Sequence, residues 1–442
     1  VTPDAGLVSI VVLTASGPKH LPDCLAALRA HTWPADRTEV IVVDNGSAED
    51  PRPVVERHYP GAKVVMNGRN LGFAAGNNAG ARAATGNWLV FLNDDTRVHP
   101  AWLERMIDVA ERRRAASVAA LIVDWSGTRI DFAGGLVNFE GRGFSLGYGV
   151  PVAQRTLAEE PLLFGCGAAV LFRRDVFEAA GGWDEGTFAY YEDVELGWRL
   201  WLLGHEVWFA PDAVVHHRHH GTSGGADPAR QRAFDRNALR MLYTHLEDAT
   251  LQRVFPAALL LAADRALLST PFSRAGTART PLEWLRARLR PGSLKPQVFQ
   301  ALSRRGARRD AGVIGSLRAL GMGGLIGAAA QVGRELAYSW KHRGAREQYL
   351  LERTPFGGSA VERESIPIEA VATLAGIADM LASLPELSAK RASLQAMRRR
   401  SDAEILERFG SHWLNHSPSA QQRLHATLRE IVVQALCPRV DA

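Results

Sequence analysis

Two adjacent aspartates, Asp94 and Asp95, close a short apolar run, Trp88-Leu-Val-Phe-Leu-Asn93. Such a run, bounded by turn residues, reads as a buried parallel strand. Carboxylates at the carboxyl end of that strand stand at the mouth of an α/β sheet, where ligands bind. As a pair they suit a hard divalent cation held against a substrate diphosphate. Taken alone, they serve equally well as a solvated turn or as the cap of the helix after Pro100. A second acidic cluster, Tyr191-Glu-Asp-Val-Glu195, has helical spacing. Glu192 and Glu195 then share a face, with Asp193 turned about 100° away. One carboxylate can enter a cleft while the others face solvent or cap the helix. A semi-enclosed carboxylate has a raised pKa and can take a proton from a hydroxyl; acids that merely favour the helix dipole are the plainer alternative. The neighbouring rings of Trp183, Phe188, Tyr190 and Tyr191 offer faces on which a sugar can lie. A third group, His216-His-Arg-His-His-Gly221, ends a strand-like run. Imidazole with carboxylate suits Mn²⁺ or another borderline divalent ion. A zinc hydrolase would want three protein ligands and an open position, and no His-Glu-x-x-His signature supports it.

The elements that must position these groups alternate in type. Leu7 to Thr14, Val40 to Val43, Lys63 to Met66 and Trp88 to the aspartates read as strands. Helical patterns at Pro18 to His31 and Phe73 to Ala84 lie between them. This rhythm predicts a doubly wound, mostly parallel sheet with right-handed crossovers. The strand ends at Thr14, Asp44, Met66 and Asn93 then share the edge where a nucleotide sits. Beyond it come a helix through Met106 and Val109, a strand at Ser117 to Val123, and a Gly-rich hairpin or loop at Gly134 to Val152. A buried strand at Phe164 to Phe172 whose small residues allow close backbone approach, a helix at Tyr191 to Leu203, and strand-like runs at Trp208 to Ala210 and Val214 to His217 follow. From about Ala229 onward the pattern is helical. The expected organisation is an α/β domain over 1–235 and a helical C-terminal region over 236–442, of unassigned role.

Composition sets outer bounds. The 442 residues are 46% hydrophobic and 22% charged, which is ordinary for a globular protein with an ample core. No signal peptide or membrane span is expected. The three cysteines show no metal spacing, which fits a reducing cytoplasm. The net charge of +5 is modest, but Arg274 to Arg309 is rich in arginine. That segment is either a solvated surface or an attractor for an anionic membrane. Interleaved aromatics of a single-strand-binding groove are missing, and nucleic acid is not an expected partner. Neither a Walker loop nor a G-x-G-x-x-G fingerprint occurs, which weakens ATPase and dinucleotide readings.

A set of motifs in order then resembles a family: Val40-Ile-Val-Val-Asp-Asn-Gly-Ser47, Asn70-Leu-Gly-Phe-Ala-Ala-Gly-Asn-Asn78, Phe91-Leu-Asn-Asp-Asp-Thr96, Gly165-Cys-Gly-Ala-Ala169, Gly182-Trp-Asp-Glu185, Tyr191-Glu-Asp-Val-Glu-Leu-Gly-Trp-Arg199 and His217-Arg-His-His-Gly-Thr-Ser223. Over about residues 6–245 the chain is similar to the inverting family-2 glycosyltransferases of GT-A fold, in their bacterial rhamnosyltransferase-like branch. The resemblance implies that Thr14 and Asp44 contact the nucleotide base, that Asn70 and Asn77 line the nucleotide-sugar pocket, and that Asp94 meets ribose or metal-bound water. It implies Asp95 as a ligand of Mn²⁺ or Mg²⁺, helped by His217 with His216 as the alternative, and Asp193 as general base. Trp183, Asp184 and Glu192 fall on the acceptor side. Asn93 replaces the usual first acid of the metal motif, and Thr14-Ala-Ser16 replaces the usual Thr-Tyr-Asn, which leaves base selectivity open. The implied activity is transfer of a sugar from a dTDP- or UDP-linked donor to a hydroxyl of a glycan or lipid-linked glycan of the bacterial cell envelope. The expected setting is the cytoplasm, with peripheral attachment to the inner face of the membrane. A sugar nucleotidyltransferase and an inactive transferase-fold scaffold are the alternatives. Ala15 to His20 is a poor phosphate loop for the first, and the retained acids and histidines argue against the second.

Overall fold

The computed structural model describes residues 6–16, 19–218, 227–268 and 368–410. The N-terminal part runs β1 (Val8–Thr14), α1 (Leu21–Arg29), β2 (Thr38–Asp44), α2 (Arg52–His58), β3 (Lys63–Met66), α3 (Gly72–Ala83) and β4 (Trp88–Asn93). It continues through β5 (Thr96–Val98), α4 (Trp102–Arg113), β6 (Ser117–Asp124), β7 (Ile130–Phe132), β8 (Gly135–Val137) and β9 (Gly143–Ser145). Then come β10 (Ala169–Arg173), α5 (Arg174–Ala179), α6 (Glu192–Leu202) and β11 (Val207–His217). Five helices follow among the described residues: α7 (Pro228–His245), α8 (Asp248–Leu268), α9 (Ile368–Ala382), α10 (Leu384–Met397) and α11 (Asp402–Phe409).

The main sheet has the order β3-β2-β1-β4-β10-β6-β11-β5, with β7 added on β6. Strands β3, β2, β1 and β4 are parallel, as the alternation with helices requires. The central side chains of β1, β2 and β4 are buried on both faces because helices cover both, and Val8, Ile10, Val11, Val12 and Leu89 to Phe91 have no exposed surface. The fold class is therefore the expected α/β one, with a helical C-terminal region.

Two local expectations change. Phe164 to Phe172 is not one strand: only Ala169–Arg173 is extended, and it runs antiparallel between β4 and β6. The small residues before it mark close approach rather than strand. A Cβ at Gly165 would lie 2.8 Å from that of Ala119, and one at Gly167 would lie 2.9 Å from the Phe73 ring. The chain turns there, with the Ala169 amide donating to the Cys166 carbonyl at 3.1 Å. The runs at Trp208 and Val214 are one strand, β11, whose register slips between Ala210 and Val214. The Gly-rich stretch contains the β8–β9 hairpin.

The chain forms two compact units. The first takes in the described residues of 1–138, 142–226 and 394–417; the second takes in those of 139–141, 227–393 and 418–442. Within the first, residues after 394 return to the end of α6. The Arg399 amide donates to the Leu202 carbonyl at 2.8 Å, and the Phe409 ring stands edge-on to Trp201 at 5.0 Å. Ser401 and Glu404 form a capping box that starts α11. Within the second, Gly376 lets α9 meet α7 closely, since a Cβ there would lie 2.5 Å from the Arg232 carbonyl oxygen. Arg232 is paired with Asp379 at 2.6 Å. Among the described residues no single helix is long and apolar enough to cross a membrane; α9 with α10, bent by 64°, passes that test only as a pair. The basic segment Arg274 to Arg309 lies outside the described residues.

Gly197 sets how closely α6 can approach the turn before β10. A Cβ on it would fall 2.3 Å from the Phe164 Cβ and 2.7 Å from the Leu163 carbonyl oxygen. Alanine gains about 1 kcal/mol in helix propensity, but overpacking against backbone costs about 1–3 kcal/mol. Gly197→Ala is therefore expected to lower the chemical-denaturation midpoint. An unchanged or higher midpoint would show that the turn yields.

Candidate active site

The parallel register sets Leu13 opposite Asn93, Thr14 opposite Asp44 and Asp44 opposite Met66, so these strand ends share one edge. Asp94 and Asp95 follow β4 there, only 6% and 7% exposed. The Thr14 and Ser16 hydroxyls donate to one oxygen of Asp94 at 2.6 and 2.9 Å. Burial drives the Asp94 carboxyl above its ordinary range, the two hydroxyls oppose this, and Asp95 beside it adds to the rise. Burial also works to raise Asp95, but the hydrogen bond and charge of His217 outweigh it and hold that carboxyl low.

His217 Nε2 lies 3.3 Å from Asp95 Oδ1, and its Nδ1 lies 2.8 Å from Asp131 Oδ2. Burial alone would lower the imidazole pKa; the hydrogen bonds to Asp131 and then Asp95 push it up to about 9. Strand alternation turns His216 the other way, with Nδ1 3.4 Å from Arg97. The structure thus brings His217, not His216, to the acids. The histidines after Arg218 lie outside the described residues.

The expected nucleotide side gathers at the end of β2. Asp44 is buried and accepts from the Ser47 amide at 3.1 Å. Asn70 accepts from the Gly72 amide at 2.8 Å and from Asn45 at 3.1 Å. Asn77, 1% exposed, donates to the Phe73 carbonyl, while its own side-chain oxygen is buried with no protein partner. Asn45 is the organiser the sequence reading passed over. Its amide donates to Asn70 and the Gly72 carbonyl, and its oxygen accepts from Asn67 and the Leu71 amide. That uses every bond an asparagine side chain can make. The signal was its place directly after a strand-terminal aspartate and before glycine.

The helix carrying the candidate base is entered through unusual backbone. Phe188, Tyr190 and Tyr191 have φ of 62°, 68° and 72°, which is uncommon for non-glycine residues and concentrated at functional sites. Asp193 keeps a partly exposed surface. Its oxygens accept from the Gly167 amide at 3.1 Å and the Val194 amide at 2.8 Å. Its surroundings raise its pKa by desolvation, against which these amides work. The adjoining Ala168 carbonyl accepts from the Asn93 amide at 3.1 Å, so one turn joins the base to the acidic end of β4.

Glu192 and Glu195 depart from the expectation that they face solvent or cap the helix. Both are buried, because the inner face of α6 holds them. Glu195 pairs with Arg199 at 2.7 Å. Glu192 has one oxygen without a protein partner, and burial and then Asp193 push its carboxyl well above its ordinary range. Trp183 is not a sugar platform either. It is 1% exposed, ringed by Phe73, Phe91, Phe172 and Phe177, and clamped by Asn78 through its backbone amide and carbonyl. Asp184 accepts from the Gly186 amide at the start of a short 3₁₀ turn.

Beyond Asp131, the sequence reading also missed a basic rim. Arg97 and Arg218 lie over the Trp125 ring, at 4.7 and 3.7 Å from its centre. The Arg218 amide donates to the Asp95 carbonyl at 3.1 Å. Among the described residues no cluster of three or more His, Cys, Asp or Glu side chains is arranged to enclose an ion. Asp95 and His217 instead form a two-donor edge. That set fits a divalent ion whose remaining ligands come from substrate phosphate and water.

The charged imidazole links stability to pH. Its pKa rises from 6.5 to about 9 on folding, so its stabilisation is complete below the lower value and is lost as pH rises through the upper one. In metal-free buffer the stability advantage of wild type over His217→Gln should shrink, by on the order of 3 kcal/mol, between about pH 6 and pH 10. Denaturation at a series of pH values reads this directly, and a constant difference would refute a protonated His217.

Comparison with known proteins adds the family. The sequence model described as Glycosyl transferase family 2 matches residues 9–181. The chain is 30% identical over 251 residues to the N-acetylglucosaminyl-diphospho-decaprenol L-rhamnosyltransferase of Mycobacterium tuberculosis, covering 51% of this chain and 80% of the relative. It is 31% identical over 221 residues to an O-antigen biosynthesis protein of Myxococcus xanthus, covering 48% of this chain and 17% of that protein. Among solved structures, one of GalNAc-T7 with UDP, GalNAc and Mn²⁺ aligns with a TM-score of 0.48 at 19% identity, over 61% of this chain and 52% of the other. The family model and the Mycobacterium tuberculosis relative, joined to the strand-end acids and the turn that links them to Asp193, lead to one conclusion: the chain belongs to glycosyltransferase family 2 and is a glycosyltransferase.

Proposed function

We propose that this enzyme is a metal-dependent inverting transferase that moves rhamnose from a dTDP- or UDP-linked donor to a hydroxyl of a lipid-linked glycan of the bacterial cell envelope, in the cytoplasm at the inner face of the membrane. The observation that carries the mechanism is the turn at Gly167 and Ala168. It hydrogen-bonds Asp193 on one side and the end of β4 on the other. The names of the relatives support the sugar and the lipid-linked acceptor.

In this reading Asp95 and His217 would hold the cation, and Asp94, braced by Thr14 and Ser16, would face the ribose. When bound, Mn²⁺ or Mg²⁺ would supply the positive charge that stabilises a departing diphosphate. Thr14 and Asp44 at the ends of β1 and β2, Asn77 on α3, and Asn70 on the loop that Asn45 holds in shape line the nucleotide-sugar side. Asp193 accepts the acceptor's hydroxyl proton. The hydroxyl oxygen forms its bond to the anomeric carbon on the face opposite the diphosphate. The anomeric carbon–oxygen bond breaks with its electron pair going to the diphosphate, and configuration inverts. Desolvation raises the Asp193 carboxyl above its ordinary range, which makes it a better base.

A panel of dTDP- and UDP-sugars, with acceptor and with or without Mn²⁺ or Mg²⁺, tests donor and metal together. Within that assay Asp193→Asn should lose about 10²- to 10⁴-fold in transfer while calorimetric donor binding survives. Glu192→Gln, at a carboxyl buried on the inner face of α6, should lose far less. Normal transfer by Asp193→Asn would remove it as the base.

Membrane attachment rests on Arg304, Arg305, Arg308 and Arg309, near the end of the basic segment. Reversing their charge should release the protein from anionic vesicles in co-sedimentation at low salt. Undiminished binding would leave that segment as a solvated surface.

A further inference from the structure

Strand β7 carries an irregularity that aims one side chain at the site. Phe132 pairs with Ile122 and Ile130 with Val123, so Asp131 is an extra residue on the β7 side of the ladder. A bulge of this kind re-aims a side chain, and bulges recur beside active sites. Here the Asp131 carboxylate reaches His217 Nδ1 at 2.8 Å. The position is built on both sides. Ser145 donates to the Asp131 carbonyl at 2.8 Å, and Asp124 fixes the preceding turn by accepting from the Thr128 and Arg129 amides. Asp131, His217 and Asp95 side chains are 10%, 11% and 8% exposed, so water competes little for these bonds.

From this geometry we propose that Asp131 is a positioning residue. By accepting the Nδ1 proton it fixes the ring plane of His217 and leaves Nε2 as the nitrogen that releases its proton to solvent when an ion shared with Asp95 binds. The inference rests on the metal role given to His217 above. Its physical basis is general: a histidine ligand binds through one nitrogen while the other donates to a carboxylate or carbonyl, and loss of that partner weakens metal affinity about 10–100-fold. Without Asp131, His217 is free to carry its proton on Nε2, the nitrogen that faces Asp95, and to rotate out of line.

Mn²⁺ binding in the presence of UDP tests this without reference to turnover. Electron paramagnetic resonance of free Mn²⁺ gives the affinity, and the nitrogen modulation of bound Mn²⁺ reports imidazole coordination. In the full chain, Asp131→Ala should weaken binding about 10–100-fold and lose the nitrogen signature, as His217→Ala does. Asp131→Asn keeps an acceptor for Nδ1 but not the charge; it should retain the signature with intermediate affinity. Wild-type affinity and signature in Asp131→Ala, with both lost in His217→Ala, would overturn the role of Asp131 and leave the metal reading intact. An unchanged signal in His217→Ala, or no Mn²⁺ uptake by wild type, would overturn the metal reading and this proposal with it. Should Asp131→Ala fail to fold, Asp131→Asn decides: wild-type affinity there also overturns the proposal.

Discussion

Two neighbouring carboxylates with little access to water are the constraint around which this site is built. Side by side after β4, Asp94 and Asp95 repel each other and lack solvation. The protein treats them differently. Asp94 receives two neutral hydroxyls from the end of β1, and its carboxyl stays elevated. Asp95 receives a charged imidazole from the end of β11, and its carboxyl is held low. The parallel pairing of β1 with β4 sets Leu13 opposite Asn93 and so brings Thr14 within reach. The antiparallel pairing of β5 with β11 sets Thr96 opposite His217 and so brings the imidazole beside Asp95. Sheet order is thus the means by which charge is balanced.

The proton-accepting side follows a different logic. Asp193 is held by backbone amides, which oppose only part of the rise that desolvation gives its carboxyl. A cation there would depress its pKa and its usefulness as a base. The left-handed residues Phe188, Tyr190 and Tyr191 raise the local energy, and the packing around them holds the chain in that conformation. Phe188 illustrates this. Its carbonyl accepts from the Ala74 amide in the first turn of α3, and only a glycine at 72 leaves room for it. The strained entry to α6 is therefore tied to the helix that lines the nucleotide side.

Much of this was legible from local pattern. The parallel strands, the acidic end of β4, the helix at Tyr191 and the strand-end histidines all follow from short-range periodicity and turn chemistry. That is because a buried strand or an amphipathic helix imprints its period on neighbouring residues. The misreadings share one cause. Gly165 and Gly167 looked like strand residues because nothing local reveals Ala119 or Phe73 pressing against them. Trp183 looked like an exposed platform because aromaticity does not say which rings will surround it.

What the sequence by itself determined was the inventory of chemical groups, the order of the elements and the relative faces of residues within each. What tertiary structure alone decided was phase and partnership. Alternation says that His216 and His217 point to opposite sides; only the pairing of β11 with β5 and β6 says which side holds Asp95. Helical spacing separates Asp193 from Glu192; only the packing of α6 sends Glu192 inward and leaves Asp193 reachable. Thr14 with Asp94, Asp131 with His217 and Gly167 with Asp193 are contacts between residues far apart in the chain. Periodicity is a property of a segment, whereas its phase relative to the core is set by whatever the segment packs against, and that information lies elsewhere in the chain.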